Sequence, residues 1–153
     1  MKVYIGTDHA GYELKEKLAS YIEKELGCTV ADMGAHQYEV ADDYPDFIQL
    51  VAKEVSDQPN SAFGIILGGS GEGEAIVANR FPHVRAAVYY GGPIDIVKFS
   101  REHNNANILS LGARFLSEEE AKAAVKLWLE TPFTEEERHM RRLRKLEQIW
   151  PYQ

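Results

Sequence analysis

Leu67-Gly68-Gly69-Ser70-Gly71-Glu72-Gly73-Glu74 is a glycine-rich turn between two segments of different periodicity. The apolar run at 63–67 precedes the turn and predicts a buried strand, whereas residues 75–79 follow it with a helical pattern. A strand, a glycine-rich turn and a helix in this order are typical of α/β proteins that hold an anion, because the first N–H groups of a helix have no partner within it.

The same turn carries a carboxylate, Glu74, where an anion would otherwise sit. The dinucleotide fingerprint G-x-G-x-x-G fails because Glu74 takes the place of the third glycine, and no Gly-Lys-Ser/Thr follows as in a P-loop. We interpret the turn as a cradle for a developing oxyanion, formed by Ser70 and the N–H groups of Gly69, Gly71 and Gly73, with Glu74 as the base beside it. The alternative is a tight turn without a ligand.

Composition limits the classes of protein that this chain can represent. Its 153 residues suit a single domain spanning 1–153, and 44% hydrophobic with 27% charged residues is ordinary for a globular protein. A net charge of −7 argues against nucleic acid as the main partner. The lone cysteine, Cys28, excludes an intramolecular disulfide and a thiolate metal cluster. Without a leader or an apolar run of roughly 20 residues, we expect a cytoplasmic protein with no membrane partner.

Strand-like and helical segments alternate along the whole chain. This alternation predicts a three-layer α/β/α sandwich with a five-stranded, mainly parallel (Rossmann-like) sheet in which the first three strands are neighbours. Pro45 predicts the first turn of the second helix, and capping boxes are expected at Ser117 and Thr134. The second box would open a C-terminal helix at about 135–149. The predicted strands are 2–7, 29–33, 63–67, 85–89 and 107–111.

Polar groups are expected to meet at the carboxyl ends of the strands, where ligands bind in such sheets. Asp8 and His9 follow the first strand and Arg114 follows the fifth, and we expect His103, at the end of the fourth helix, to share this rim. Glu74 as base, His103 as acid and Arg114 as phosphate ligand fit proton transfer beside the carbonyl of a phosphorylated sugar. Other roles stay open: Asp8 as a helix cap, the histidines as partners of helix dipoles, and Arg114 as a surface ion-pair residue.

A dense basic run at 138–145 stands out in this acidic chain. It is either a solvated helix face whose positive charge is balanced by the glutamates at 135–137, or a ligand site. Arg138 and Arg142 are four residues apart and share one helix face, so they can hold one phosphate. We hypothesise that this helix packs on a second subunit and delivers both arginines to that subunit's site.

Seven blocks of sequence in unbroken order resemble one family, the type B ribose-5-phosphate isomerases, in the superfamily that includes the galactose-6-phosphate isomerase subunits. The blocks are Gly-Thr-Asp-His-Ala-Gly at 6–11, Asp-Tyr-Pro at 43–45, Gly-Gly-Ser-Gly-x-Gly-Glu at 68–74, Ala-Asn at 78–79, Arg-Glu-His-Asn-Asn-Ala-Asn at 101–107, Gly-Ala-Arg at 112–114 and Arg-His-x-Arg-Arg at 138–142.

The resemblance implies a role for each site residue. Glu74 would move a proton between C1 and C2 through an enediolate held by Ser70 and the turn, and His103 would assist opening of the furanose ring. The residues implied to contact or adjoin the substrate are Asp8, His9, Tyr44, Asn104 and Arg114, together with Arg138, Arg142 and His139 of a partner subunit. The family implies no metal and no organic cofactor, and a homodimer or a tetramer.

One position separates two branches of this family. Many members carry a cysteine base at the position of Gly68, whereas a second branch has glycine there and glutamate at the place of Glu74. This chain resembles the second branch, so we expect alkylation of Cys28 to leave activity intact.

We therefore expect an isomerase that interconverts ribose 5-phosphate and ribulose 5-phosphate. The alternatives are an isomerase of allose or galactose 6-phosphate, and a sugar-phosphate or nucleotide binding module without catalysis.

Overall fold

The structure, a computed structural model, describes residues 1–149. Five parallel strands form one sheet in the order β2-β1-β3-β5-β4, so the predicted α/β fold and the adjacency of the first three strands are confirmed. Within the described residues, no helix has the length and apolarity to cross a bilayer. The strands are β1 (Lys2–Thr7), β2 (Thr29–Asp32), β3 (Ala62–Gly68), β4 (Ala86–Tyr89) and β5 (Ile108–Gly112).

Six α-helices accompany the sheet within residues 1–149, and a single 3-10 turn, His9–Gly11, leads into the first of them. The helices are α1 (Tyr12–Lys24), α2 (Tyr44–Asp57), α3 (Glu72–Ala78), α4 (Asp95–Asn104), α5 (Glu118–Glu130) and α6 (Glu137–Glu147).

The helices cover both faces of the sheet. On one face, α1, α4 and α5 bury Leu18, Val97 and Trp128 against the sheet, and on the other α2 and α3 bury Val51 and Ala78. Strand β5 is buried along its whole length and β3 along nearly all of it, as expected for central parallel strands covered on both sides. This three-layer core fixes the strand ends from which the site is built.

Two local predictions are confirmed and one is wrong. Pro45 lies in the first turn of α2, and Ser117 forms its capping box with Glu120. Leu50 is 42% exposed, because the face of α2 that meets the sheet carries Ile48 and Ala52.

The second capping box does not form. Helix α6 begins only at Glu137, and its N-cap residue, Glu136, makes no side-chain cap. Glu135 has a φ of 56°, a left-handed conformation that interrupts a helix starting at Thr134. The Thr134 hydroxyl donates instead to the carbonyl oxygen of Glu102, 2.8 Å away.

Candidate functional site

The glycine-rich turn lies between the carboxyl ends of β1 and β5. Gly68 pairs with Gly112 at the end of β5, and Gly71 has a φ of +82°, which favours glycine. The carbonyl oxygen of Gly71 accepts hydrogen bonds from the Ser110 hydroxyl, at 2.6 Å, and from the N–H of Ala75, at 3.1 Å. The turn is therefore fixed by a buried side chain of the neighbouring strand.

Glu74 is almost completely buried at this turn, with 4% of its surface exposed. Its carboxylate lies against the backbone of Gly68, where any Cβ would overlap it. Burial raises the pKa of the Glu74 carboxyl, and the charge of Asp8 raises it further, whereas the N–H groups of Glu74 and Gly71 act in the opposite direction. A buried carboxyl group with a raised pKa at a strand end is typical of a general base.

Two other predicted site residues, Asp8 and Tyr44, adjoin the same turn. The Asp8 carboxylate accepts from the N–H of Ala10 at 3.0 Å, so it caps the 3-10 turn that precedes α1 rather than α1 itself, and it also lies within electrostatic reach of Glu74. The Tyr44 ring packs so closely on Gly73 that a Cβ there would lie 2.8 Å from Cζ of the ring.

Arg114 places a cation beside the turn. Its N–H donates to the carbonyl oxygen of Gly69 at 3.1 Å, and its guanidinium lies over the same glycine. The side chain is exposed and pairs with no carboxylate among residues 1–149, so the alternative of a surface ion pair is not supported there. The Ser70 hydroxyl accepts from the N–H of Glu72 at 3.3 Å.

His9 lies at the end of β1 and is held by a residue that sequence reasoning missed, Asp42. One oxygen of Asp42, Oδ1, is 2.6 Å from His9 Nδ1 and 3.0 Å from the His9 backbone nitrogen. Asp8, His9 and Asp42 bring ligand-type atoms within 4.8 Å of one another, but His9 Nδ1 already hydrogen-bonds to Asp42, which favours a hydrogen-bonded pair over a metal site. Nothing in the local sequence marks Asp42, because its partner is 33 residues away.

His103 and Asn104 do not share this rim within one chain, and that expectation is wrong. Helix α4 runs back along the sheet, so its end precedes Ile108, which pairs with Gly64 and Ala86 at the amino ends of the strands. The four residue steps from Ile108 to Gly112 correspond to about 13 Å of strand. His103 therefore lies at the opposite edge of the sheet from Glu74.

At that opposite edge His103 belongs to a second cluster of predicted residues. Its ring stacks between Phe99, at 5.0 Å, and His139, at 4.5 Å between ring centroids. His139 is 2% exposed, and its Nε2 has no hydrogen-bond partner among the described residues, although it lies 3.9 Å from a carboxylate oxygen of Glu136. Burial lowers the pKa of His139. Arg138 is exposed and pairs with Glu136 at 2.8 Å.

A cleft of about 620 Å³ opens beside this cluster, between α6 and the amino ends of β4 and β5. Its polar wall includes His103, Asn104 and Arg142, and its apolar wall includes Leu143 and Leu146. The predicted site residues thus form two groups, one around the glycine-rich turn and one around this cleft.

Solved structures of known enzymes share this architecture. A ribose-5-phosphate isomerase B from Mycoplasma genitalium with bound ribulose 5-phosphate superposes with a TM-score of 0.90 at 33% identity, covering 96% of this chain and 94% of that one. The enzyme of the same name from Clostridium thermocellum gives a TM-score of 0.90 at 41% identity and 97% coverage of both chains.

Sequence comparison agrees with the structural one. The ribose-5-phosphate isomerase B of Mycobacterium tuberculosis is 41% identical over 143 residues, which are 94% of this chain and 86% of that protein. Residues 3–146 match the model of the family described as Ribose/Galactose Isomerase. Because this match covers nearly the whole chain and agrees with the fold and with the residues around the turn, the chain belongs to the Ribose/Galactose Isomerase family.

Proposed function

We propose that this chain is an aldose–ketose isomerase that interconverts ribose 5-phosphate and ribulose 5-phosphate. The observation that carries the proposal is Glu74, a buried carboxylate of raised pKa set in a glycine-rich turn. An anion-binding module without catalysis gains nothing from a carboxylate in that position. The relatives named for this reaction, and the one solved with ribulose 5-phosphate, support the choice of substrate.

In the proposed reaction, Glu74 removes the proton from C2 of the ring-opened aldose. The electron pair forms a C1–C2 double bond and moves charge to O1, giving an enediolate. Ser70 and N–H groups of the turn would stabilise that oxygen. Glu74 then returns its proton to C1, and the hydroxyl proton on O2 moves to O1, so that O2 becomes the ketone oxygen and atoms balance.

The remaining site residues are proposed to act across a homodimer. Arg114 of one subunit would bind the phosphate with Arg138 and Arg142 of the partner subunit. The partner would also supply His103 for ring opening and Asn104 for sugar contact. The separation of the two groups within one chain, and the position of His103 beside Arg142 at one cleft, support this arrangement.

His139 belongs to the partner's group through its stacking on His103. Its burial favours support of that ring over direct phosphate contact. We place the reaction in the cytoplasm, since a charged sugar phosphate does not cross a bilayer unaided.

A Glu74→Gln substitution tests the proposed base. The amide keeps the shape but cannot take a proton, so kcat should fall at least ~100-fold while ribose 5-phosphate still binds. A stopped assay of product formation measures kcat, and titration calorimetry measures the binding of ribose 5-phosphate. Turnover close to that of the unmodified chain would remove Glu74 as the base.

A substrate panel tests the sugar. Ribose 5-phosphate, allose 6-phosphate and galactose 6-phosphate are assayed side by side with a chelator present. A six-carbon preference, which the family description accommodates, would keep the site and change the substrate. Turnover of none of them would contradict the proposed function.

A further inference from the structure

We propose that Asp42 is a positioning residue for His9: it fixes the ring with Nδ1–H on the carboxylate and leaves Nε2 available to the sugar phosphate. The inference deepens the proposed function and rests on it for the identity of the ligand. The hydrogen-bonded pair itself can be tested without any ligand.

The contacts of Asp42 are those of a side chain that orients a ring. Its Oδ1 accepts from Nδ1 and from the backbone N–H of the same residue, at 2.6 Å and 3.0 Å, so both the ring and its attachment point are held. The Asp42 side chain is only 9% exposed, which strengthens a charge-assisted hydrogen bond. A residue whose ring and backbone are both held loses little further freedom when it binds a ligand.

The other ring nitrogen remains available. His9 Nε2 has no hydrogen-bond partner among residues 1–149, and the side chain is 22% exposed. His9 follows β1, whose last residue, Thr7, pairs with Leu67 immediately before the glycine-rich turn. The free nitrogen is therefore carried by a ring anchored next to the proposed substrate site.

The second oxygen of Asp42 adds a reason to assign a role to this residue. Oδ2 is buried and has no hydrogen-bond partner in the described part of the chain. Leaving a carboxylate oxygen buried and unpaired is costly, so a merely structural contact would be served better by a neutral side chain. The loop that carries Asp42 is also attached to β1 at its start. There the N–H of Thr7 donates to the carbonyl oxygen of Gly34, and the N–H of Ala35 donates to the carbonyl oxygen of Thr7.

A double-mutant cycle with Asp42→Ala and His9→Ala separates positioning from a general effect on the loop. Asp42→Ala alone should raise the KM and the Kd for ribose 5-phosphate roughly ten-fold or more, with a smaller effect on kcat. In the His9→Ala background the same substitution should have a much smaller further effect, because the ring is gone and only the contact of Asp42 with the backbone N–H of residue 9 remains to be lost. Equal effects in both backgrounds would overturn the proposal and leave Asp42 as a loop anchor.

Nitrogen NMR of the imidazole in the ligand-free protein reports which ring nitrogen of His9 carries the proton, and this measurement does not depend on enzyme activity. The unmodified chain should show His9 with the proton on Nδ1, and Asp42→Ala should shift it towards a mixture of tautomers. Glu39→Gln is the matched control, because it removes one exposed carboxylate from the same loop and should change neither readout.

An unchanged tautomer in Asp42→Ala would also overturn the proposal. If the unmodified protein neither binds nor turns over the sugar phosphate, the proposed function fails and so does the assignment of His9 to that ligand. The NMR result then decides whether the His9–Asp42 pair exists at all.

Discussion

Burial and the charge of Asp8 both raise the pKa of the Glu74 carboxyl. Because only the ionised form can accept a proton, kcat/KM should fall as the pH is lowered through this raised pKa. Asp8→Asn removes one of the raising charges, so the acid limb of the profile should move to lower pH, whatever the loss in substrate binding. Asp46→Asn, an exposed carboxylate on α2, is the control and should leave the limb in place. A limb that does not move with Asp8→Asn would show that the two carboxyls are uncoupled.

The same raised pKa has a consequence for stability. The folded protein binds this proton more tightly than the unfolded chain, so the favourable contribution of Glu74 is present at low pH and is lost as the pH rises through the folded-state pKa. At neutral pH the ionised group therefore lowers the free energy of unfolding. We expect Glu74→Gln to be more stable than the unmodified chain at pH 7 and to lose that advantage in acid, as measured by urea unfolding.

Gly68 allows the carboxylate of Glu74 to lie where a side chain would be. Gly68→Ala should push this flexible carboxylate aside and lower kcat on the order of 100-fold, because small displacements of a reacting group are costly. The melting temperature should change little, since the clash is with the mobile end of a side chain. Gly64→Ala provides the contrast, because its Cβ would meet Ile108 and Val51 at 2.9 Å in the core, and it should lower stability.

Two predicted capping boxes in one chain give a test at the level of whole helices. The Ser117 hydroxyl accepts from the N–H of Glu120, and the N–H of Ser117 donates to the Glu120 carboxylate, so Ser117→Ala should lower the free energy of unfolding by about 1 kcal/mol. Thr134 caps nothing, and Thr134→Ala should cost less because it removes one exposed hydrogen bond. Urea unfolding of both variants checks the difference, and equal losses would contradict it.

The elements themselves were predictable where packing and periodicity agree. Strands β3 and β5 are short apolar runs buried on both sides, and the pattern marks them within one residue of their ends. The start of α6 was not predictable, because Thr134 is bonded to the carbonyl oxygen of Glu102, far away in sequence, and the backbone at Glu135 is left-handed.

At the scale of the whole molecule, the sequence identified the family motifs but not their distribution over the sheet. Asp8, Glu74 and Arg114 follow strands and meet at one edge, as strand-end reasoning predicts. His103 lies at the end of a helix that runs back to the other edge of the sheet, so the expectation that it lies at the carboxyl ends of the strands was wrong. The role of Asp42 was not predictable, because it lies in a loop without a recognisable motif and contacts His9, which is 33 residues away in sequence.

The proposed dimer can be tested by mixing inactive chains. Arg138→Ala and Glu74→Ala chains, unfolded together and refolded, should regain about a quarter of the activity of the unmodified protein, because half the dimers are mixed and each has one intact site. A mixture of Glu74→Ala with Glu74→Gln is the control and should regain nothing. Mixed dimers without activity would remove the arrangement in which one subunit supplies Arg138 to the other.

The shared space of positions 68 and 74 also constrains how such a site can evolve. A side chain at 68 and the carboxylate of Glu74 exclude each other, so a lineage that exchanges one base for the other must change both positions. Either substitution made first gives an intermediate with a displaced base or with none. A site with its base at position 68 and a site with its base at position 74 are then separated by a fitness valley rather than by a neutral path, and a variant that moves the base must change both positions together.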